Sequence, residues 1–523
     1  MTPVFQALIF FHKDNFMFEE ILNKIDDIVW GIPTIVLILV TGIVLTIRLR
    51  GVQFSKLGRG FKTLFKKTEG GKGEVSPFAA LCTALSATIG TGNIVGVATA
   101  IAGGGPGALF WMWLAALLGT ATKYTECMLA VKYREHADDG HVLGGPFYTI
   151  EKGMKERTGF NWKWLAVIFA IFGVCVGLFG IGTFTQINGI TSAVNNAFDP
   201  ENKHIAFTLF GNNYTWSVVI AGLIVTLAVA LVIIGGLKRI SKVAEKIVPA
   251  MAIIYVFLGL SILIMNATKI PEAFSVIFKN AFGWNAVMGG AMGWTFKQIT
   301  DSMQKGVARG IFSNEAGLGS SVMVHSASNV IEPVMQGMWG IFEVFADTVM
   351  VCSLTAFSVL SSGLVDLETG VTVAEYGGVA LTNANVVSTV FTIYFGKLGG
   401  AFVALSIMLF AYSTVLGWSH YGSKACEYLF GTKSTMVYRV IFVLATFGGS
   451  VMGANLAWDI ADTLNGMMMI PNLIGVIVLS PLVCRITKNY VNRKILGKDI
   501  EPMLSNFPDI QKESAEAVAQ GAE

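Results

Sequence analysis

Long apolar runs, recurring along nearly the whole chain, constrain this sequence more than any other feature. A bilayer's hydrocarbon core is roughly 30 Å thick, so an α-helix crosses it with about 20 residues. Apolar stretches of that order fall at 30–48, 77–101, 107–132, 163–193, 215–236, 247–267, 292–326, 334–362, 398–424, 434–453 and 455–484, about eleven in all. The stretch 292–326 differs from the rest, because Lys297, Asp301, Lys305 and Arg309 make it amphipathic. The balance of residue types agrees with a membrane solvent. Only 14% of the 523 residues are charged, against about 25% in soluble proteins, which is too little to coat a water-soluble surface of this size. A formal net charge of +3 gives no support to a nucleic-acid-binding face. The sequence therefore predicts an all-α integral membrane protein.

Orientation follows from where the cations lie, since positive loops stay in the cytoplasm. Arg48, Arg50, Lys56, Arg59, Lys62, Lys66, Lys67 and Lys72 follow the first span, Lys238, Arg239, Lys242 and Lys246 the fifth, and Arg485, Lys488, Arg493, Lys494 and Lys498 the last. The intervening segments 198–214, 268–291 and 363–397 hold only Lys203, Lys269, Lys279 and Lys397. An odd number of spans then places the N-terminus outside and the C-terminus inside, in a multi-pass cell-membrane protein. Asp14, Glu19, Glu20, Lys24, Asp26 and Asp27 precede the first apolar run, so it reads as a span and not as a cleavable signal. The final stretch, 499–523, carries Glu501, Asp509, Glu513, Glu516 and Glu523 and is expected to be a solvated cytoplasmic extension without a fold of its own. Six cysteines and six histidines are scattered without C-x-x-C or helical metal spacing, so neither a zinc site nor a disulfide framework is expected.

Two runs are interrupted. Ser86-Ala87-Thr88-Ile89-Gly90-Thr91-Gly92-Asn93-Ile94-Val95-Gly96 sits inside the second, where glycines and small polar residues weaken a helix. Irregular backbone at membrane depth survives only where protein buries it or it lines a cavity. An unwound point there frees N–H groups at one half-helix end, suited to a carboxylate, and carbonyls at the other, suited to a cation. The glycines could instead serve close helix packing, but Thr91 and Asn93 add polarity that packing does not require. Glycine spacing does not match a dinucleotide or phosphate loop. The second interruption is Gly310-Ile311-Phe312-Ser313-Asn314-Glu315-Ala316-Gly317-Leu318-Gly319-Ser320-Ser321, five spans later, with a plain inter-helix loop as its alternative. Spans 2–6 and 7–11 are two sets of five, each opening on its interrupted member. An odd set size inverts one half relative to the other, a signature of secondary transporters with a midplane site. Four segments result: 1–76 with the leading helix and a basic loop, 77–267 and 268–484 as the two five-helix repeats, and 485–523 as the tail.

These stretches, with Gly104-Gly105-Pro106-Gly107-Ala108-Leu109-Phe110-Trp111-Met112-Trp113 and Tyr412-Ser413-Thr414-Val415-Leu416-Gly417-Trp418, closely resemble the sodium:alanine symporter family, also called alanine or glycine:cation symporters. The resemblance runs from about residue 77 to 431. It implies a fold like that of the neurotransmitter:sodium symporters with one extra leading helix, and Na⁺-coupled uptake of small neutral amino acids. By the same resemblance, Thr91, Gly92 and Asn93 meet the substrate carboxylate with Gln186 as a further contact, and Phe312, Thr414 and Trp418 close around the side chain. Ser413 and Thr414 hold a sodium ion against carbonyls of the unwound second span, and Asn93 serves a second ion. The expected partners are the amino acid, Na⁺ and membrane lipid, with no nucleic acid and no organic cofactor.

Charges inside spans are functional candidates because they are costly there. Lys123 and Glu126, three apart, are expected to pair with each other. Glu343 and Asp347 share a helix face and could line an ion path, couple protons, or find a cation on another helix. Glu315 is expected to cap the half-helix after the second interruption, and Asp459 and Asp462 to be solvated near an outer end. No nucleophile, base and orienting group recur at a workable spacing, so the chain is not read as an enzyme. Proton coupling is the alternative within the transporter class, and a passive channel the more distant one.

Overall fold

The computed structural model describes residues 21–22, 24–55, 71–199, 201–209, 212–283, 292–366, 371–377, 379–381 and 385–520. The first cationic loop, with Arg59, Lys62, Lys66 and Lys67, lies outside them. The leading helix is α1 (Ile32–Arg48). The first half comprises α2 (Pro77–Thr88), α3 (Val97–Gly104), α4 (Ala108–Lys132), α5 (Lys163–Phe179), α6 (Phe184–Phe198), α7 (Trp216–Ile233) and α8 (Gly236–Met265). After a surface helix, α9 (Ile270–Ala281), come α10 (Met292–Asn314), α11 (Pro333–Val344), α12 (Ser353–Ser361), α13 (Val386–Phe395), α14 (Lys397–Phe430), α15 (Ser434–Ser450) and α16 (Ala454–Tyr490). Three antiparallel hairpins, β1–β2 (Glu135–His136, Val142–Leu143), β3–β4 (Ile205–Leu209, Asn212–Thr215) and β5–β6 (Glu375–Tyr376, Val379–Ala380), trim the helix ends.

Length and apolarity qualify seven of the described helical spans to cross a bilayer, and the bent pair α2 and α3 raises that to eight. Helices occupy the other three apolar stretches as well. Among these, α4 carries Lys123, Glu126 and Lys132, α10 is amphipathic as its sequence predicts, and α15 is only 17 residues long. The outward faces of α7, α8 and α15 expose Leu223, Leu227, Leu231, Phe257, Ile264 and Leu444, an apolar belt that water would not tolerate at this density but lipid does.

The interruptions sit where the sequence places them. Ser76 caps α2 by accepting from the Ala79 N–H (3.0 Å), with Pro77 at the first helical position. The helix stops at Ile89, whose φ/ψ of −79°/91° is extended, and the chain restarts after a bend of 53°. In the second half α10 ends at Asn314. Glu315 (φ 56°), Gly317 (φ 97°) and Gly319 (φ 74°) then take left-handed conformations that end any helix. Both ends of this arrangement pack on α4, which faces α10 and α11, while α14 lies against α2, α5 and α6.

One expectation about the tail is corrected. Residues 501–519 are docked and end in helix α17 (Pro508–Ala519). Leu504 is 1% exposed, the Asn506 N–H donates to Lys132 O (2.9 Å), Lys132 Nζ to Ser505 O (2.7 Å) and Asn489 Nδ2 to Glu501 O (2.8 Å). The Lys132 carbonyl and ammonium at the end of α4 and the Asn489 amide at the end of α16 supply the docking contacts, which a charge count along the tail does not reveal.

Candidate functional site

The break between α2 and α3 gathers most of the residues nominated from sequence. The Gly90 N–H donates to Asn93 Oδ1 (2.9 Å), and the Thr91 N–H to Gln186 Oε1 on α6 (3.1 Å). Thr414 Oγ1 on α14 donates toward Ile89 O (3.4 Å) and also reaches Phe410 O (3.0 Å). Gly90 has to be a glycine, since a Cβ there would stand 2.6 Å from Thr414 Oγ1 and 3.0 Å from Gln186 Oε1. Gly92 is pressed by Phe312, whose Cδ1 would lie 3.2 Å from an added Cβ. Thr91 Oγ1 is buried and has no hydrogen-bond partner among the described residues. A buried hydroxyl left unpaired costs free energy, which makes this one a candidate for contact with a bound group.

Thr91 forms part of the wall of a cavity of about 1040 Å³. Asn188 and Ser192 of α6, Ser388 and Thr392 of α13, Lys397 and Trp458 line it further toward the end of the bundle bearing β5–β6.

Ser413 and Trp418 are placed differently from the rest. Ser413 Oγ donates to Phe410 O in its own helix (2.9 Å) and lies 3.9 Å from Met251 Sδ on α8. Trp418 is fully buried a turn further along α14, its indole Nε1 donating to Glu315 Oε1 (2.9 Å).

Asp347 is the residue that sequence reasoning left unconnected. It sits on a wide helical turn, Phe345–Cys352, between α11 and α12. Its fully buried carboxylate accepts from Asn93 Nδ2 (2.6 Å), Ser313 Oγ (2.8 Å) and Thr348 Oγ1 (2.8 Å). Both interruptions therefore converge on one carboxylate. Its position inside an apolar run was a visible signal; its proximity to Asn93, 254 residues away, was not.

The other intramembrane charges correct several expectations. Lys123 does not pair with Glu126. Its ammonium lies 3.1 Å from Glu343 Oε1, both side chains wholly buried, and donates to Ser321 Oγ (2.8 Å). Glu126 instead accepts from Asn472 Nδ2 (2.5 Å), which also reaches Gly317 O (2.8 Å). Helix α11 lies along α4 and brings Glu343 to Lys123, while Asn472 of α16 takes Glu126. Glu315 does not cap a following half-helix; its carboxylate is taken by Trp418 and Ser320. Asp462 is not solvated, being held by Arg309 through two bonds. Cys127, His325 and Glu343 offer ligand atoms within 4.8 Å of one another. Both oxygens of Glu343 are already engaged, by Lys123 and by His325 Nε2 (2.8 Å). Beneath this layer, Arg134 donates to the backbone carbonyls of Ser326, Ser328 and Val330, clasping the loop before α11.

Residues 15–503 match the sequence profile of the sodium:alanine symporter family. The sodium/alanine symporter AgcS of Methanococcus maripaludis is 42% identical over 475 residues, 90% of this chain and 97% of that protein. A probable sodium/glutamine symporter, GlnT of Bacillus subtilis, is 35% identical over 92% of each chain. Among solved structures, MhsT in complex with L-phenylalanine superposes with a TM-score of 0.52 at 14% identity, covering 80% of this chain and 99% of that one, a likeness of fold.

Proposed function

The chain belongs to the sodium:alanine symporter family, and we propose that it carries a small neutral amino acid, alanine or glycine, into the cell together with Na⁺ by alternating access. It is a multi-pass membrane transporter and not an enzyme, built on the fold of the neurotransmitter:sodium symporters. The observation that carries the finer reading is the broken helix. The Thr91 hydroxyl, without a hydrogen-bond partner among the described residues, stands at the wall of a large cavity, and Gly90–Asn93 is the backbone turn that carries it.

In this reading Thr91, Gly92 and Asn93 receive the substrate carboxylate, with Gln186 orienting the turn through the Thr91 N–H. Phe312, Thr414 and Trp418 bound the space for the side chain, Trp418 steadied by Glu315. One sodium ion rests between Ser413, Thr414 and carbonyls freed at the end of α2. Asn93 serves the second, and Asp347 with Ser313 supplies the formal charge and further oxygens that a hard cation needs. Ion and substrate sharing Asn93 would each strengthen the other's binding by the same factor.

The segment limits 1–76, 77–267, 268–484 and 485–523 belong to the same proposal, as do an outside N-terminus and a cytoplasmic C-terminus. With that orientation the cavity opens outward, and the Lys123–Glu343 and Arg134 layers close the cytoplasmic path. A closed layer below one site favours a carrier over a channel. Proton coupling is the second reading, favoured by one observation, the buried Asp347 carboxylate beside the break.

Labelled alanine uptake into proteoliposomes tests the proposal. Uptake is expected to follow an inward Na⁺ gradient; accumulation that ignores Na⁺ and follows a pH gradient would overturn the sodium assignment. Asn93→Ala and Trp418→Ala are both expected to abolish saturable alanine binding, and unchanged affinity in both would overturn the site.

A further inference from the structure

Above the broken helix, α10 and α16 are joined by four side chains that act as one body. The Phe312 ring, which presses on Gly92, packs tilted against Trp458 at a centroid distance of 4.9 Å and an interplanar angle of 31°. The Arg309 guanidinium lies over both rings, 4.8 Å from Trp458 and 5.4 Å from Phe312. One turn along α16 from Trp458, Asp462 grips that guanidinium with two parallel bonds, Nη1–Oδ1 at 2.9 Å and Nη2–Oδ2 at 2.7 Å. Arg309 is 8% exposed, so the fork and the ring contacts are shielded from water and stronger than at a surface.

An interhelical strut could sit anywhere along the α10–α16 contact. This one ends on the ring that touches the substrate-side glycine, and its Trp458 also walls the cavity that reaches Thr91. Packed rings do not compress. Any substrate side chain longer than the space left beside Gly92 must displace Phe312, and Phe312 cannot move away without parting from Trp458 and breaking the cation's hold.

We propose that Trp458, acting through Phe312, sets the upper limit on substrate side-chain size, and that the Arg309–Asp462 pair is the positioning device that holds it in place. The inference rests on the reading that the Thr91–Asn93 turn binds the amino acid. Relaxing the ring pair turns a site that admits hydrogen or methyl into one that also admits a longer polar chain.

The test is competition of labelled alanine uptake in proteoliposomes by glycine, serine, glutamine and leucine. Trp458→Ala is expected to move the glutamine-to-alanine ratio of half-inhibitory concentrations at least about tenfold toward glutamine, the scale on which a pocket senses a few methylenes. Trp458→Phe keeps the wild-type ratio. Arg309→Gln shifts it in the same direction as Trp458→Ala, and the exchanged pair Arg309→Asp with Asp462→Arg moves it back. If Trp458→Ala does not fold, Trp458→Leu carries the same readout. A mere strut lowers the maximal rate for all substrates alike, so unchanged ratios in the Trp458 variants, with wild-type protein transporting alanine, overturn the inference alone. Wild-type protein that takes up none of the panel overturns the proposed function and this inference with it.

Discussion

Lys123→Met should be among the most damaging single substitutions outside the substrate turn. The ammonium stands 3.1 Å from Glu343 Oε1 with no solvent on either side chain. At an effective dielectric near 20, two unit charges at that distance attract by about 5 kcal/mol. Removing one partner forfeits this and strands the other charge in the interior, a loss of about 3–5 kcal/mol for buried pairs. The bond to Ser321 goes as well, loosening the loop after α10. The double variant Lys123→Met with Glu343→Gln removes the nearest stranded charge, leaving Glu126 and Glu315 further off, and a glutamine amide can keep the contact with His325. It should therefore recover part of the loss. The assay is the apparent melting temperature of purified protein in detergent, with Lys72→Met as a control, since the Lys72–Glu513 pair is more than half exposed and screened by solvent. A single variant that melts with the control, or a double variant no better than the single, would refute the reasoning.

Asp347→Asn keeps the shape and removes the charge that Asn93, Ser313 and Thr348 serve; Na⁺-driven uptake at fixed Na⁺ is expected to fall at least about tenfold, given about 1.5–3 kcal/mol for a hydrogen bond to a charged group, and a wild-type Na⁺ titration would contradict it. Gly90→Ala drives a methyl against Thr414 and Gln186, so alanine binding by isothermal calorimetry should weaken by about tenfold or more, in line with about 1–3 kcal/mol for overpacking, and unaltered affinity would count against the tight approach. Deleting residues from 499 onward uncovers the surface under Leu504 and frees Lys132. Burial of one such side chain is worth about 1.5–3 kcal/mol, so the melting temperature should drop, and an unchanged melt would mean the tail does not stay docked.

How much could be read in advance depended on how far the chemistry ran along the chain. The break at Gly90–Asn93 announced itself because polar residues and glycines interrupt an apolar period within a few positions. Family resemblance named Gln186, Phe312 and Thr414 as residues of the same site, and their contacts with the break then emerged from the structure. The pairing rules of a single helix misled at Lys123, where Glu126 is near in sequence but Glu343, on the helix packed alongside, takes the charge. Asp462 looked solvated because its cation lies 153 positions away. The tail looked unstructured because its docking rests on a few backbone bonds to distant helix ends and one buried leucine. In each case the missing information was a tertiary juxtaposition that leaves no periodic trace.

The docked tail also bears on energetic balance. In a core of two inverted halves, the state open to one side and the state open to the other are approximate images of each other, and symmetry alone would make them nearly equal in energy. Residues 501–519 occur once, clasping the ends of one helix from each half, at Lys132 and Asn489. Whatever is unduplicated falls on one side of that symmetry and tilts it. The docked tail, like the leading helix α1 that packs on the same two helices, is therefore one of the unduplicated parts from which such a tilt would arise.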